Sequence, residues 1–180
     1  MIKKFMLTMA VVFAFVFSMQ AQLDVSLNPL GLLFGSYDVS VEKGISESFG
    51  VELTARFSSQ KYELGEEKVS SSGFGARIMG KYYFSPKNGI DRFNVAPYIK
   101  IGSNKFDDGA DKVTNFRFAA GVYLGYKIVA SSNVFFELGF GLGKAFVNSY
   151  KVNGEEILDG GSYPVFNIDA TGKLAVGYRF

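Results

Sequence analysis

The residue groups with the right types to do chemistry are few, and their spacing argues against each use. Gly139-Phe140-Gly141-Leu142-Gly143-Lys144 has the glycines and lysine of a phosphate loop, but not its spacing or terminal Ser or Thr, and no helical pattern follows. Glycines that let bulky neighbours fit inside a strand are the simpler reading. Asp107-Asp108-Gly109-Ala110-Asp111 offers oxygens for calcium without the ligand spacing and closing Glu of an EF-hand loop. It reads as a solvated acidic loop. Glu137 and Asp169 are a conceivable acid/base pair, yet as charges facing Lys and Arg they are more simply structural. The chain has no His and no Cys, which removes imidazole bases, thiolate nucleophiles, thiolate metal sites and disulfides. The expectation is no catalytic residue, no cofactor and no metal, hence not an enzyme.

The 180 residues are 48% hydrophobic and 16% aromatic, with 19 Phe, 10 Tyr and no Trp. That is the composition of one compact domain and not of a disordered or collagenous chain. The net charge of +2 is carried by Lys3 and Lys4, so the remainder is neutral and no nucleic-acid partner is indicated. Met1 to Lys4 is basic, Phe5 to Phe17 is apolar apart from Thr8, and Ala21 offers a small residue for cleavage. This is the pattern of a secretory signal peptide over residues 1–21, with an apolar run too short for a spanning helix. Residues 22–180 are then the folded domain, exported and built without disulfides as a bacterial envelope protein can be.

Beyond Gln22 the apolar residues recur with a period of two, the signature of strands. Phe49, Val51, Leu53, Ala55 and Phe57 share one face, with Gly50, Glu52, Thr54, Arg56 and Ser58 on the other. Residues 115–128 and 134–143 alternate in the same way. Further strands are placed at Leu33–Lys43, Phe74–Phe84, Phe93–Ser103 and Asn167–Phe180. Short connections fall at 44–48, 85–92 and 130–133, and long polar ones at 60–72, 104–112 and 148–163. Alternating short turns and long loops are what outer-membrane barrels show. An exported chain that both starts and ends on the short-turn side needs an even strand number. Leu23, Val25 and Leu27 supply the missing strand, a short one, followed by a tight turn at Asn28-Pro29-Leu30-Gly31. The predicted fold is all-β: an eight-stranded antiparallel transmembrane β-barrel in meander order, after a cleaved signal peptide.

An eight-stranded interior is just wide enough to be filled by side chains. The Phe- and Tyr-rich face would overpack it and is assigned outward. The inner face then carries the acids Asp24, Asp38, Glu42, Glu52, Glu137 and Asp169 and the bases Arg56, Arg77, Lys81, Lys100, Arg117, Lys127, Lys173 and Arg179. Paired across the lumen they avoid the cost of isolated buried charge, and a plugged barrel with no open pore is expected. Phe49, Phe84, Phe93, Tyr126 and Phe180 at one end, and Phe57, Phe74 and Phe116 at the other, are placed as interfacial girdles. Gly121→Ser, in a lumen-facing glycine, is expected to be mild.

Leu174, Val176, Tyr178 and Phe180 alternate, and the chain stops on an aromatic residue in Tyr178-Arg179-Phe180. This strand resembles the assembly signal of outer-membrane proteins. Nearly the whole of residues 22–180 resembles the small eight-stranded OmpA/OmpX/OmpW-like group, most closely small envelope barrels that open with an Asn-Pro-Leu-Gly-Leu-Leu-Phe-Gly run, here 28–35. The resemblance implies the bacterial outer membrane as location, its lipid and lipopolysaccharide as surroundings and the barrel assembly machinery as partner. It implies no chemistry, since the group shares no activity. A non-enzymatic structural or surface-interaction role through the long loops is expected. An OmpW-like channel for small or hydrophobic solutes and a soluble barrel for hydrophobic ligands are the alternatives.

Overall fold

The computed structural model describes residues 22–33, 35–64, 67–107, 109, 111–159 and 167–180, with backbone alone for 61–64, 67–69 and 156–159. The expected signal peptide lies outside the described residues. The elements are β1 (Leu23–Leu27), α1 (Pro29–Leu33), β2 (Ser36–Ser46), β3 (Phe49–Leu64), β4 (Glu67–Tyr83), β5 (Arg92–Asp107), β6 (Lys112–Val129), β7 (Val134–Val152), β8 (Glu155–Asp159) and β9 (Ile168–Arg179). Each strand pairs antiparallel with the next from β1 to β7, and β7 pairs with β9. The ring closes where Asp24 lies opposite Arg179 and Leu27 opposite Val176. Strand β8 pairs with the far end of β7 and continues the wall that β9 occupies. The barrel is therefore eight strands around, all antiparallel, in meander order.

The alternation predicts the two faces residue by residue. Along β2, Asp38, Ser40 and Glu42 are buried between exposed Tyr37, Val39 and Val41. Where apolar alternation fades, the sequence has no signal for strand, and there the prediction falls short. Ser70, Ser71 and Ser72 continue β4 in register with Lys61, Gln60 and Ser59 of β3, so the first long loop is largely a hairpin extension. The expected third long loop likewise contains a hairpin, turned by Asn153 and Gly154, both at positive φ. Asn-Gly is the dipeptide that this tight turn favours, a signal that was present in the sequence.

The expected tight turn after β1 is instead the single-turn helix α1, and β2 starts at Ser36 and not at Leu33. Pro29 suits the first helical position, because its fixed φ fits and its missing N–H has no partner to lose there. Asn28 anchors the change of direction. Its backbone N–H donates to Asp38 O, and its side chain accepts from the N–H of Leu174 at 3.3 Å, so it covers the edge of β9 just where β1 stops.

Tyrosines complete the filling of the lumen. Tyr98 and Tyr123 pack with Met79 and Ala96 against the glycine-rich wall of β6 and β7. A Cβ added at Gly139 would lie 2.0 Å from the Tyr123 hydroxyl, and one at Gly143 would lie 2.7 Å from that of Tyr98. At Gly121 it would meet the Leu142 carbonyl at 2.3 Å, a backbone atom that cannot step aside. The expectation that Gly121→Ser is mild is thereby corrected. Gly121→Ser should destabilise the barrel by at least the ~1–3 kcal/mol typical of overpacking, read as a lower urea midpoint. Gly172→Ser, with nothing within 4 Å of the added atom, should leave the midpoint unchanged.

Candidate functional site

The inward side chains form two charged layers. Near the short-turn end, Arg179 clamps Asp24 with Nε and Nη2, both at 2.7 Å. Lys127 bridges Asp24 at 2.9 Å and Glu42 at 2.5 Å. Lys81 contacts Glu42, Glu52 and Glu137 at 3.0, 2.5 and 2.6 Å, and Lys173 joins Glu52 and Glu137 at 2.5 and 2.8 Å. Tyr83 donates to Glu42 at 2.7 Å and Tyr123 to Glu137 at 3.1 Å. Four carboxylates thus meet four cations, all buried, and the layer is neutral. Phenols satisfy carboxylate lone pairs that the ammonium groups leave over.

Glu42, Glu52 and Glu137 bring carboxylate oxygens within 4.8 Å of one another, close enough to hold a cation. Three lysine ammonium groups already sit among them, so the cations of this acidic cluster belong to the chain itself.

The second layer lies toward the long-hairpin end. Arg56 grips Asp38 through a two-pronged contact at 2.7 and 2.6 Å, and Asn28 donates to the same carboxylate at 3.2 Å. Asp169 accepts from Tyr98 at 2.8 Å and pairs with Lys100 at 2.6 Å. Arg117 approaches Asp169 at 3.4 Å and donates to the Ile168 carbonyl at 2.5 Å. Arg77 hydrogen-bonds to the Thr171 hydroxyl and lies 3.8 Å from Glu52. Lys100 also reaches the Ala170 carbonyl at 3.4 Å. Alternate residues of an antiparallel strand turn both backbone groups to the same side. Leu174 turns toward Asn28, so Ile168 and Ala170 turn the same way, beyond the end of β1. Arg117 and Lys100 supply partners to these carbonyls.

The candidate pair Glu137 and Asp169 is divided between the layers, each held by its own cations. Gly139 to Lys144 is regular strand, paired on both sides with β6 and β9, and forms no loop. In the acidic stretch, Asp107 accepts from the Gly109 N–H and pairs with Lys112 at 3.4 Å; Asp108 and Ala110 lie outside the described residues. The residues matched to the assembly signal, Val176, Tyr178 and Phe180, are exposed on the outside, with the Tyr178 and Phe180 rings edge-on at 5.0 Å; Leu174 is half-buried. Phe84 packs on Phe93 at 5.6 Å in the same terminal row.

Sequence reasoning named the charges of the lumen but passed over Tyr83, Tyr98 and Phe135, all buried. The signal was parity alone: Tyr83 lies two residues from Lys81, and Tyr98 two from Lys100. These features define a class, an antiparallel eight-stranded β-barrel with a charged, filled interior and an apolar exterior. No protein-family model, curated protein or solved structure matches the chain.

Proposed function

We propose that this chain is a lipid-embedded barrel of a bacterial outer membrane, akin to the small OmpA/OmpX/OmpW-like group. Its role is structural or surface-interacting, carried by the hairpins that extend beyond the barrel at one end, and it is not enzymatic. The observation that carries this reading is the inverted polarity. Leu53, Ile78, Ile99, Val122, Leu138 and Phe140 are all exposed on the outer surface, while complementary ion pairs fill the core. Water rewards the opposite arrangement, and hydrocarbon rewards this one. In this reading outer-membrane lipid and lipopolysaccharide surround the barrel, and the assembly machinery inserts it. The acidic residues of the hairpins can meet lipopolysaccharide through divalent ions.

The filled lumen favours this role over an OmpW-like channel, which would give steady openings in planar bilayers. A soluble barrel for hydrophobic ligands would need its apolar face inside. Membrane fractionation followed by electrophoresis with and without boiling tests the proposal. We expect the protein in the outer-membrane fraction, running faster when unheated. A soluble periplasmic protein without that shift would overturn the reading.

A further inference from the structure

The two layers differ in charge balance. The layer at the short-turn end is neutral, whereas the other sets four cations, Arg56, Arg77, Lys100 and Arg117, against two carboxylates, Asp38 and Asp169. These cations come from four consecutive strands, β3 to β6, with Arg77 directly opposite Lys100 and Arg117 opposite Gly102. They line one cavity of about 160 Å³, along with Ser58 and Asn104, and no carboxylate lines it. Gly73, Gly75 and Gly102 contribute wall without side chains, which leaves the space open. Arg77 is only 6% exposed, yet its Nε has no hydrogen-bond partner, and the buried Nε of Arg117 has only the 3.4 Å ion-pair contact with Asp169. A buried guanidinium donor without an acceptor, as in Arg77, is costly to leave unmatched.

We propose that this cavity is a binding site for a phosphate group. A surplus of two positive charges matches a phosphate dianion, where a carboxylate would compensate only one. Guanidinium groups offer the planar donor forks that phosphate oxygens accept, with the Ser58 hydroxyl and the Asn104 amide as further donors on the rim. The shared ligand chemistry is a phosphomonoester or inorganic phosphate, either free in solution or carried by a lipid headgroup. The inference rests on the barrel interior and not on where the barrel resides.

Calorimetric titration of the folded protein in phosphate-free octyl glucoside micelles, at constant ionic strength, tests it. One arm uses inorganic phosphate and the other short-chain phosphatidic acid. We expect saturable binding at one site. Arg117→Gln should weaken it about tenfold or more, the loss of a charge-assisted contact. Gly102→Glu, which places a carboxylate where an added Cβ would meet only ordinary contacts at 3.4 Å or beyond, should abolish it. Unboiled electrophoretic mobility verifies that each variant is folded. Binding in both arms supports a site for the phosphate group itself, and binding of phosphatidic acid alone supports the lipid-borne source. No saturable binding in either arm would overturn the proposal, as would binding that both folded variants leave intact.

Discussion

Replacing Lys81 with Met is expected to destabilise the barrel by about 3–5 kcal/mol, the cost of leaving buried charge uncompensated. Lys81 is the central cation of its layer, fully buried and within 3.0 Å of three carboxylates. Met fills similar volume, so packing is nearly kept and the electrostatic term is isolated. Within the layer, Lys81→Met leaves Asp24, Glu42, Glu52 and Glu137 against Lys127, Lys173 and Arg179, with Arg77 of the other layer 3.8 Å from Glu52. Adding Glu137→Gln restores the balance at three against three, and the double variant should recover part of the loss. Urea unfolding of refolded protein in lipid vesicles measures both. A Lys81→Met barrel within 1 kcal/mol or so of the parent, or a double variant that only adds a further loss, would show that the layer does not act as one network.

The second large effect is expected on the outer face. Val122 and Ile128 lie on the same strand, point the same way and are similarly exposed, at 52% and 58%. Val122 is midway along the barrel wall, whereas Ile128 adjoins the short turn at Ala130. If hydrocarbon surrounds the barrel, Val122→Arg should cost about 2–4 kcal/mol and Ile128→Arg only about 0–1, since the penalty falls with distance from the bilayer midplane. In water, both would be exposed substitutions within about 0.5 kcal/mol of the parent. Vesicle-refolding titrations of the two variants read the difference directly. Equal effects at the two positions would remove the main support for a membrane location.

Much of this architecture was legible before any coordinates. Strands and faces follow from period-two alternation, because each strand of a closed barrel has one filled side and one outer side. The sign of the inner charges follows as well, since Asp38, Glu52, Lys81, Lys127, Lys173 and Arg179 each occupy the parity opposite to the Phe-rich set. Legibility ended where alternation of polarity ended. Ser70 to Ser72 and Ser149 to Val152 read as loop although the backbone ladder continues through them, because a strand beyond the apolar band buries little that would mark a face. Asn28 to Gly31 read as a tight turn and Leu33 as the start of a strand, although Pro29 to Leu33 close into a helical turn.

The residues alone also determined what the protein lacks the means to do, since no imidazole or thiol is present to serve as base, nucleophile or ligand. The tertiary structure alone decided which charges meet. Asp24 and Arg179 are 155 residues apart in sequence, and only ring closure makes them neighbours. The same closure sorts the inward acids and bases into one neutral layer and one cationic layer, and it decides that Gly121 must stay a glycine. Alternation specifies the side on which a residue lies; strand register and the narrow bore of an eight-stranded barrel specify its height and its partners, and charge pairing depends on both.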